Sequence, residues 1–192
     1  MKRYAAQIRH TYDTILRMSR VQYDTFEFKS KLLMLVAGFV LALAGMANMQ
    51  SVFGILMTMV GCWLLASLNY PAKQNADRIK EALGGQYPSN RYEFFDKHFV
   101  LYAQNEDIVN YSRLIRLVED EQYCYLFIDQ SASYMLEKYS LGDELKAFMA
   151  FMEKATGLAW TKPYRLSTLN LKSLIRLYGP GEEKKGKKKG KK

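Results

Sequence analysis

The chain has 192 residues, 28 Lys and Arg against 19 Asp and Glu, and 49% hydrophobic residues. Its net charge of +9 sits at the two ends: residues 1–31 carry seven cations against three acids, residues 181–192 carry seven lysines against two glutamates, and 32–180 balance at 14 of each. A neutral middle argues against a nucleic-acid-binding surface, which concentrates cations on the folded face, and two cysteines, Cys62 and Cys124, are too few for a disulfide framework.

Residues 1–31 form the first segment. Ala5, Ile8, Tyr12, Ile15, Ser19, Gln22 or Tyr23, and Phe26 recur at three- and four-residue spacing, which predicts an amphipathic helix over 4–28. Arg9, Arg17 and Arg20 fall largely off that stripe. Two readings stand: the helix lies in a membrane interface with these arginines against anionic headgroups, or it packs on a soluble domain.

Leu32 to Leu68 contains no Asp, Glu, Lys, Arg or His. Two apolar runs, Leu32–Met49 and Val52–Leu68, flank Gln50 and Ser51. As helices they would rise about 27 and 26 Å, against a hydrocarbon core of roughly 30 Å. The expectation is a transmembrane hairpin over 32–68 with a tight turn. It begins too far along the chain for a secretory signal, whose apolar core starts close to the N-terminus. Lys29 and Lys31 precede the hairpin, Lys73, Arg78 and Lys80 follow it, and the turn has no cation. The positive-inside rule then predicts two passes through the cell membrane with both termini cytoplasmic. Gly38, Ala42 and Gly45 share one face of the first helix, and Gly54 and Gly61 lie seven apart on the second. Small residues let helix backbones approach in lipid. These five serve either as a seam within the hairpin or as a surface for self-association or a larger membrane partner. With no intramembrane charge there is no marker of an ion or proton path.

Residues 69–90 are a connector. Ala72, Ala76, Ile79 and Leu83 line one side of a short helix after Pro71, and Gly84-Gly85 stops it. From Arg91 the pattern changes to strands. Tyr92–Phe95, Phe99–Ala103, Ile108–Val118, Tyr123–Ile128 and Ala132–Leu136 alternate or cluster aromatic and β-branched residues between polar turns. Five such strands predict an antiparallel meander. A helix from about Leu141 to Thr156, stopped by Gly157, carries the stripe Leu145, Phe148, Met149 and Met152 and would close the sheet. In the 161–180 extension, Leu169–Tyr178 fits a second amphipathic helix. Residues 181–192 form a low-complexity tail whose Lys184, Lys185, Lys187 and Lys188 are either lipid contacts or simply solvated.

Residues 91–160, RYEFFDKHFVLYAQNEDIVNYSRLIRLVEDEQYCYLFIDQSASYMLEKYSLGDELKAFMAFMEKATGLAW, together with the hairpin before them, are similar to the YcxB-like bacterial membrane proteins. The resemblance rests on Asn110-Tyr111-Ser112 before Leu114–Val118, the Glu119–Leu126 passage from turn to aromatic strand, and the closing helix. It implies a pleckstrin-homology-like domain and transfers no catalytic residues. The expected fold class is therefore α+β: a two-helix transmembrane hairpin plus a small antiparallel meander closed by a C-terminal helix.

Little else in the chain carries chemistry. His10 and His98 have no cysteine or carboxylate at zinc-ligand spacing. There is no phosphate loop or dinucleotide fingerprint, so no cofactor is expected, and no serine or cysteine sits in a nucleophile elbow. Glu119, Asp120 and Glu121 form either a solvated turn or a cation site. The reading these features favour is a non-catalytic, membrane-anchored binding module that contacts a protein or anionic lipid. The alternative is a structural subunit of a larger membrane assembly, joined through its hairpin.

Overall fold

The computed structural model describes residues 2–103 and 105–164. It is an α+β protein of eight strands and five α-helices, in the order β1 (Tyr4–Arg9), α1 (Tyr12–Phe26), α2 (Phe28–Ala47), α3 (Val52–Ala66), α4 (Tyr70–Ala82), β2 (Ser89–Phe94), β3 (His98–Tyr102), β4 (Glu106–Asn110), β5 (Arg116–Glu119), β6 (Tyr123–Phe127), β7 (Ser133–Glu137), α5 (Leu145–Thr156) and β8 (Trp160–Thr161).

The N-terminus departs from expectation. Tyr4–Arg9 is a strand, and the helix begins only at Tyr12, capped by Thr11, whose hydroxyl accepts from the Thr14 amide at 3.3 Å. β1 pairs antiparallel with β2 over Tyr4↔Phe94 to Arg9↔Ser89. The reason is alternation: Tyr4, Ala6 and Ile8 point inward at period two, and Ala6 and Ile8 are buried in the main core. The four helices α1–α4 are thus an insertion between two neighbouring strands, and the sheet domain is discontinuous in sequence. Residues 1–31 are not one helical segment. Ile8→Ala, at 2% exposure, should cost about 2–5 kcal/mol, read as a fall in thermal midpoint. An N-terminal helix lying apart from the sheets would show no such loss.

The strands form two sheets, β1-β2-β3-β4 and β7-β6-β5-β8. Every pairing is antiparallel except β5 with β8. The expected single strand Ile108–Val118 is divided. β4 ends at Asn110, Tyr111–Arg113 makes a turn of 3-10 helix, and β5 begins in the other sheet. Tyr111 drives this break, because its ring turns into the core and its hydroxyl donates to the Phe95 carbonyl at 2.7 Å. β8, which pairs Trp160 and Thr161 with Leu117 and Val118, has no counterpart in the expected meander.

Helix α5 closes the space between the sheets. Its fully buried Phe148 meets Phe94 edge-on at 4.8 Å and Tyr4 at 5.7 Å. It starts later than expected, because Lys138–Glu144 is 3-10 with Gly142 at φ 50°, and it ends on Gly157 at φ 70°, a conformation glycine adopts without strain.

Helices α2 and α3 make the hairpin. The turn takes four residues, Asn48–Ser51, rather than two, and Ser51 caps α3 by accepting from the Gly54 amide at 3.0 Å. Helix α2 is long and apolar enough to cross a membrane. Helix α3 meets that test only together with α4, across a 51° bend. Helix α4 opens on Pro71, buries Ala72 and Ala76 as its stripe requires, and packs along α1.

Candidate functional site

Two places on the molecule hold the residues singled out by sequence, and the first is the hairpin seam. Gly38, Ala42, Gly45, Gly54 and Gly61 are all buried between α2 and α3. A Cβ at Gly61 would stand 2.5 Å from the Ala42 nitrogen and 2.7 Å from the Gly38 oxygen. One at Gly45 would stand 2.5 Å from the Thr58 nitrogen and 2.6 Å from the Gly54 oxygen. The two backbones therefore touch where the glycines are, and Thr58 returns its hydroxyl to the Gly54 carbonyl at 2.9 Å. The seam is filled by the hairpin itself, so these glycines are not free to receive a second chain. The outer faces are a different matter. Fourteen large apolar side chains from Leu33 to Trp63 are exposed on α2, α3 and their turn, Phe53 at 71% and Trp63 at 66% among them.

The second place is α1, which ties the hairpin to the sheets. At its start, Tyr12 donates to Asp77 of α4 at 2.7 Å and its ring lies under Lys80 at 5.6 Å. Further along, Asn75 donates to Ser19 at 3.3 Å. In its middle, Arg17 Nε bonds Asp120 Oδ2 at 2.8 Å, its Nη1 bonds Gln122, and the guanidinium lies 4.9 Å from the Tyr123 ring centre. At its end, Asp24 holds Lys31 of α2 at 2.6 Å, Thr25 accepts from Arg116 at 3.3 Å, and Phe26 meets Phe127 at 5.1 Å.

Asp120 is the hub. Its Oδ1 accepts from the amides of Gln122 and Tyr123, both at 2.9 Å, and its Oδ2 accepts from the Tyr125 hydroxyl at 2.8 Å as well as from Arg17. Burial alone would raise its pKa. The two amides, the hydroxyl and the guanidinium outweigh that and hold it below the usual carboxylate range. Glu119 is ion-paired with Lys138. Two of the three acids in this turn are thus committed to protein cations, which leaves neither a bare acidic cluster nor a merely solvated turn.

The arginines assigned to headgroups separate. Arg9 ends β1 and lies opposite Ser89, so it is not on a helix. Arg17 is turned into the domain by Asp120 and is unavailable to a headgroup. Arg20 is exposed and borders a cleft beside α1. Lys184, Lys185, Lys187 and Lys188 lie outside the described residues, as does the expected helix Leu169–Tyr178.

Sequence reasoning singled out Asp120 only as part of an acidic turn, and missed both its bond to Arg17 and the Asp24–Lys31 pair, because each needs a partner that no local spacing reveals. It weighed His10 only as a metal ligand and missed its burial at the joint between β1 and α1. His10 Nε2 lies 3.2 Å from Asn90 Nδ2, and burial holds the imidazole below its ordinary range. Cys124 is buried as expected, its thiol pushed up to about 12 by that burial, so it is a poor nucleophile at neutral pH. Among the described residues no three His, Cys, Asp or Glu side chains gather into a metal site. No family model, curated protein or solved structure matches the chain.

Proposed function

We propose that this protein is a membrane-anchored binding module in which α2 and α3 cross the bilayer as a hairpin and hold the sheet domain at the cytoplasmic surface. The observation that carries the reading is the unbroken apolar exterior of α2 and α3, from Leu33 to Trp63. Each such side chain left in water forfeits about 1.5–3 kcal/mol relative to burial, so the fourteen together amount to tens of kcal/mol that a bilayer would recover. Orientation follows from charge: Lys29 and Lys31 precede the apolar stretch of the hairpin, Lys73, Arg78 and Lys80 follow it, and its turn, Asn48–Ser51, has no charge. Both termini would then be cytoplasmic.

The two antiparallel sheets with α5 between them support a pleckstrin-homology-like domain of the YcxB-like kind, interrupted by the membrane hairpin. Its role would be recognition rather than catalysis, with a protein partner or an anionic lipid as ligand. Tyr164 meets the Phe28 ring at 5.3 Å, tilted 32° to it, at the start of α2. Lys184, Lys185, Lys187 and Lys188 would contribute about 1 kcal/mol each against anionic headgroups.

Alkaline carbonate extraction tests the anchor. The native protein should remain in the membrane pellet. Val40→Arg with Met59→Arg, both on the exterior face, adds about 2.5–3.5 kcal/mol per arginine to insertion and should move most of it to the supernatant. Release of the native protein would overturn the reading.

A further inference from the structure

A cleft of about 400 Å³ lies between α1 and a wall made by Asp120 and Pro163, within the size range of small-ligand sites. Its charges can be accounted for one by one. Arg17 is committed to Asp120 and Asp24 to Lys31. What remain are Asp13 and Arg20, both exposed, both lining the cleft, and neither in a hydrogen bond or ion pair among the described residues. They are seven residues apart, so they lie on one face of α1, about 10.5 Å apart along its axis.

This arrangement is selective. A simple anion is drawn to Arg20 but faces three carboxylates, Asp13, Asp24 and Asp120; a simple cation is drawn to Asp13 but faces Arg20. A ligand with an anionic and a cationic group a few ångströms apart satisfies both. The guanidinium fork favours a phosphate as the anion, and a carboxylate such as Asp13 favours an ammonium that can donate hydrogen bonds over a quaternary amine that cannot. Leu16, Val21 and Pro163 supply an apolar floor between them.

The position of the cleft suggests a source. Asp24 comes four residues, about 6 Å of helix, before Phe28 opens α2, and Pro163 precedes Tyr164, whose ring meets Phe28 at a tilt. We propose that the cleft binds a phosphoethanolamine group, with Arg20 on the phosphate and Asp13 on the ammonium, presented by a phospholipid of the surrounding leaflet. The lipid source rests on the membrane-anchor reading; the chemistry of the cleft does not.

The test uses the full-length protein in nanodiscs of phosphatidylcholine doped with equal amounts of phosphatidylethanolamine and phosphatidylglycerol, with lipid retained through mild-detergent purification quantified by mass spectrometry. Phosphatidylethanolamine should be enriched over phosphatidylglycerol. Asp13→Asn should lower that enrichment about tenfold, the scale of one charge-assisted hydrogen bond; Arg20→Gln should lower the amount of phosphatidylethanolamine retained by a similar factor, and Arg20→Lys should restore part of it. Preferential retention of phosphatidylglycerol, or equal retention by native protein and both variants, would overturn the proposal. Soluble phosphoethanolamine, titrated against the purified protein and monitored calorimetrically, separates the sources. Binding lost in Arg20→Gln without lipid enrichment assigns the cleft to the free ligand. If the protein also leaves the membrane on carbonate extraction, the anchor has failed while the cleft stands. No binding in either arm removes the cleft.

Discussion

Gly61→Ala should lower the thermal midpoint of the detergent-solubilised protein by up to about 6–12 °C, whereas Gly38→Ala should lower it much less. Both glycines are buried in the same seam, and the two substitutions add the same methyl group. The difference lies in what that methyl meets. At Gly61 the obstacles are backbone atoms of Ala42 and Gly38 at 2.5 and 2.7 Å, which yield only if the helices separate. At Gly38 the nearest atoms belong to the Leu65 side chain, at 2.9 and 3.0 Å, which can turn away, and the one backbone atom, the Gly61 oxygen, stands at 3.2 Å and has to give by only a few tenths of an ångström. If α2 and α3 lie in lipid as proposed, they gain little from apolar burial and depend on close contact, so forcing them apart removes the main attraction. Overpacking of this kind costs up to about 3 kcal/mol, and each kcal/mol moves the midpoint of a chain this size by about 2–4 °C. Met59→Leu, on the exposed exterior, is the control. Equal midpoints for Gly61→Ala and Gly38→Ala would show that the backbones do not touch at the seam.

That seam was legible in the sequence, and the reason is instructive. Five small residues at helical spacing inside a charge-free stretch left two uses open, a seam within the hairpin or a surface for another chain, and the first needs only partners within a few turns of each other. The same locality made α4, β6 and the stripe of α5 readable. β1 was not readable, because Ala5 and Ile8 also fit a helical stripe that continues through Tyr12, Ile15 and Ser19. Only the pairing with Ser89–Phe94 decides between them, and a ladder closed across four intervening helices leaves no local mark. The division of Ile108–Val118 was hidden for a related reason. Tyr111 reads as a strand residue until the Phe95 carbonyl is there to receive its hydroxyl.

The discontinuity of the sheet domain gives α1 its importance. β1 and β2 are neighbours, so the two arms of the insertion, α1 with α2 and α3 with α4, leave the sheet side by side. Helix α1 then bonds in turn to α4 through Tyr12 and Asn75, to the β5–β6 turn through Arg17, and to α2 through Asp24. A displacement of the hairpin is therefore transmitted to both sheets rather than absorbed by a loose linker. Two of the four charges on α1, which in sequence suggest a helix lying on headgroups, are spent on these attachments, those of Arg17 and Asp24. Arg20 and Asp13 are the residues of its cleft face that remain uncommitted.

The attachment at Asp120 should carry most of the stability of that joint. Asp120→Ala removes the acceptor for two amides, a tyrosine hydroxyl and a guanidinium at once, at a side chain 1% exposed. Breaking a buried pair from one side costs about 3–5 kcal/mol. The lower end applies here because Arg17, with 32% of its side chain exposed, can turn toward water. Arg17→Met should cost far less, about 1 kcal/mol, since Asp120 keeps its other three donors. The asymmetry separates a hub from a surface ion pair, and equal losses would refute it. Acid provides a second readout. Because the folded-state pKa of Asp120 is depressed, the unfolded carboxyl takes up its proton first on acidification, so stability rises with pH through this window. The contribution is complete above the ordinary carboxylate pKa and is lost as pH falls through the lower folded value. Thermal midpoints followed from neutral pH into that range should fall more steeply for the native protein than for Asp120→Asn, and the two curves should converge at the acid end. Parallel curves would mean that the carboxylate charge of Asp120 contributes nothing to the joint.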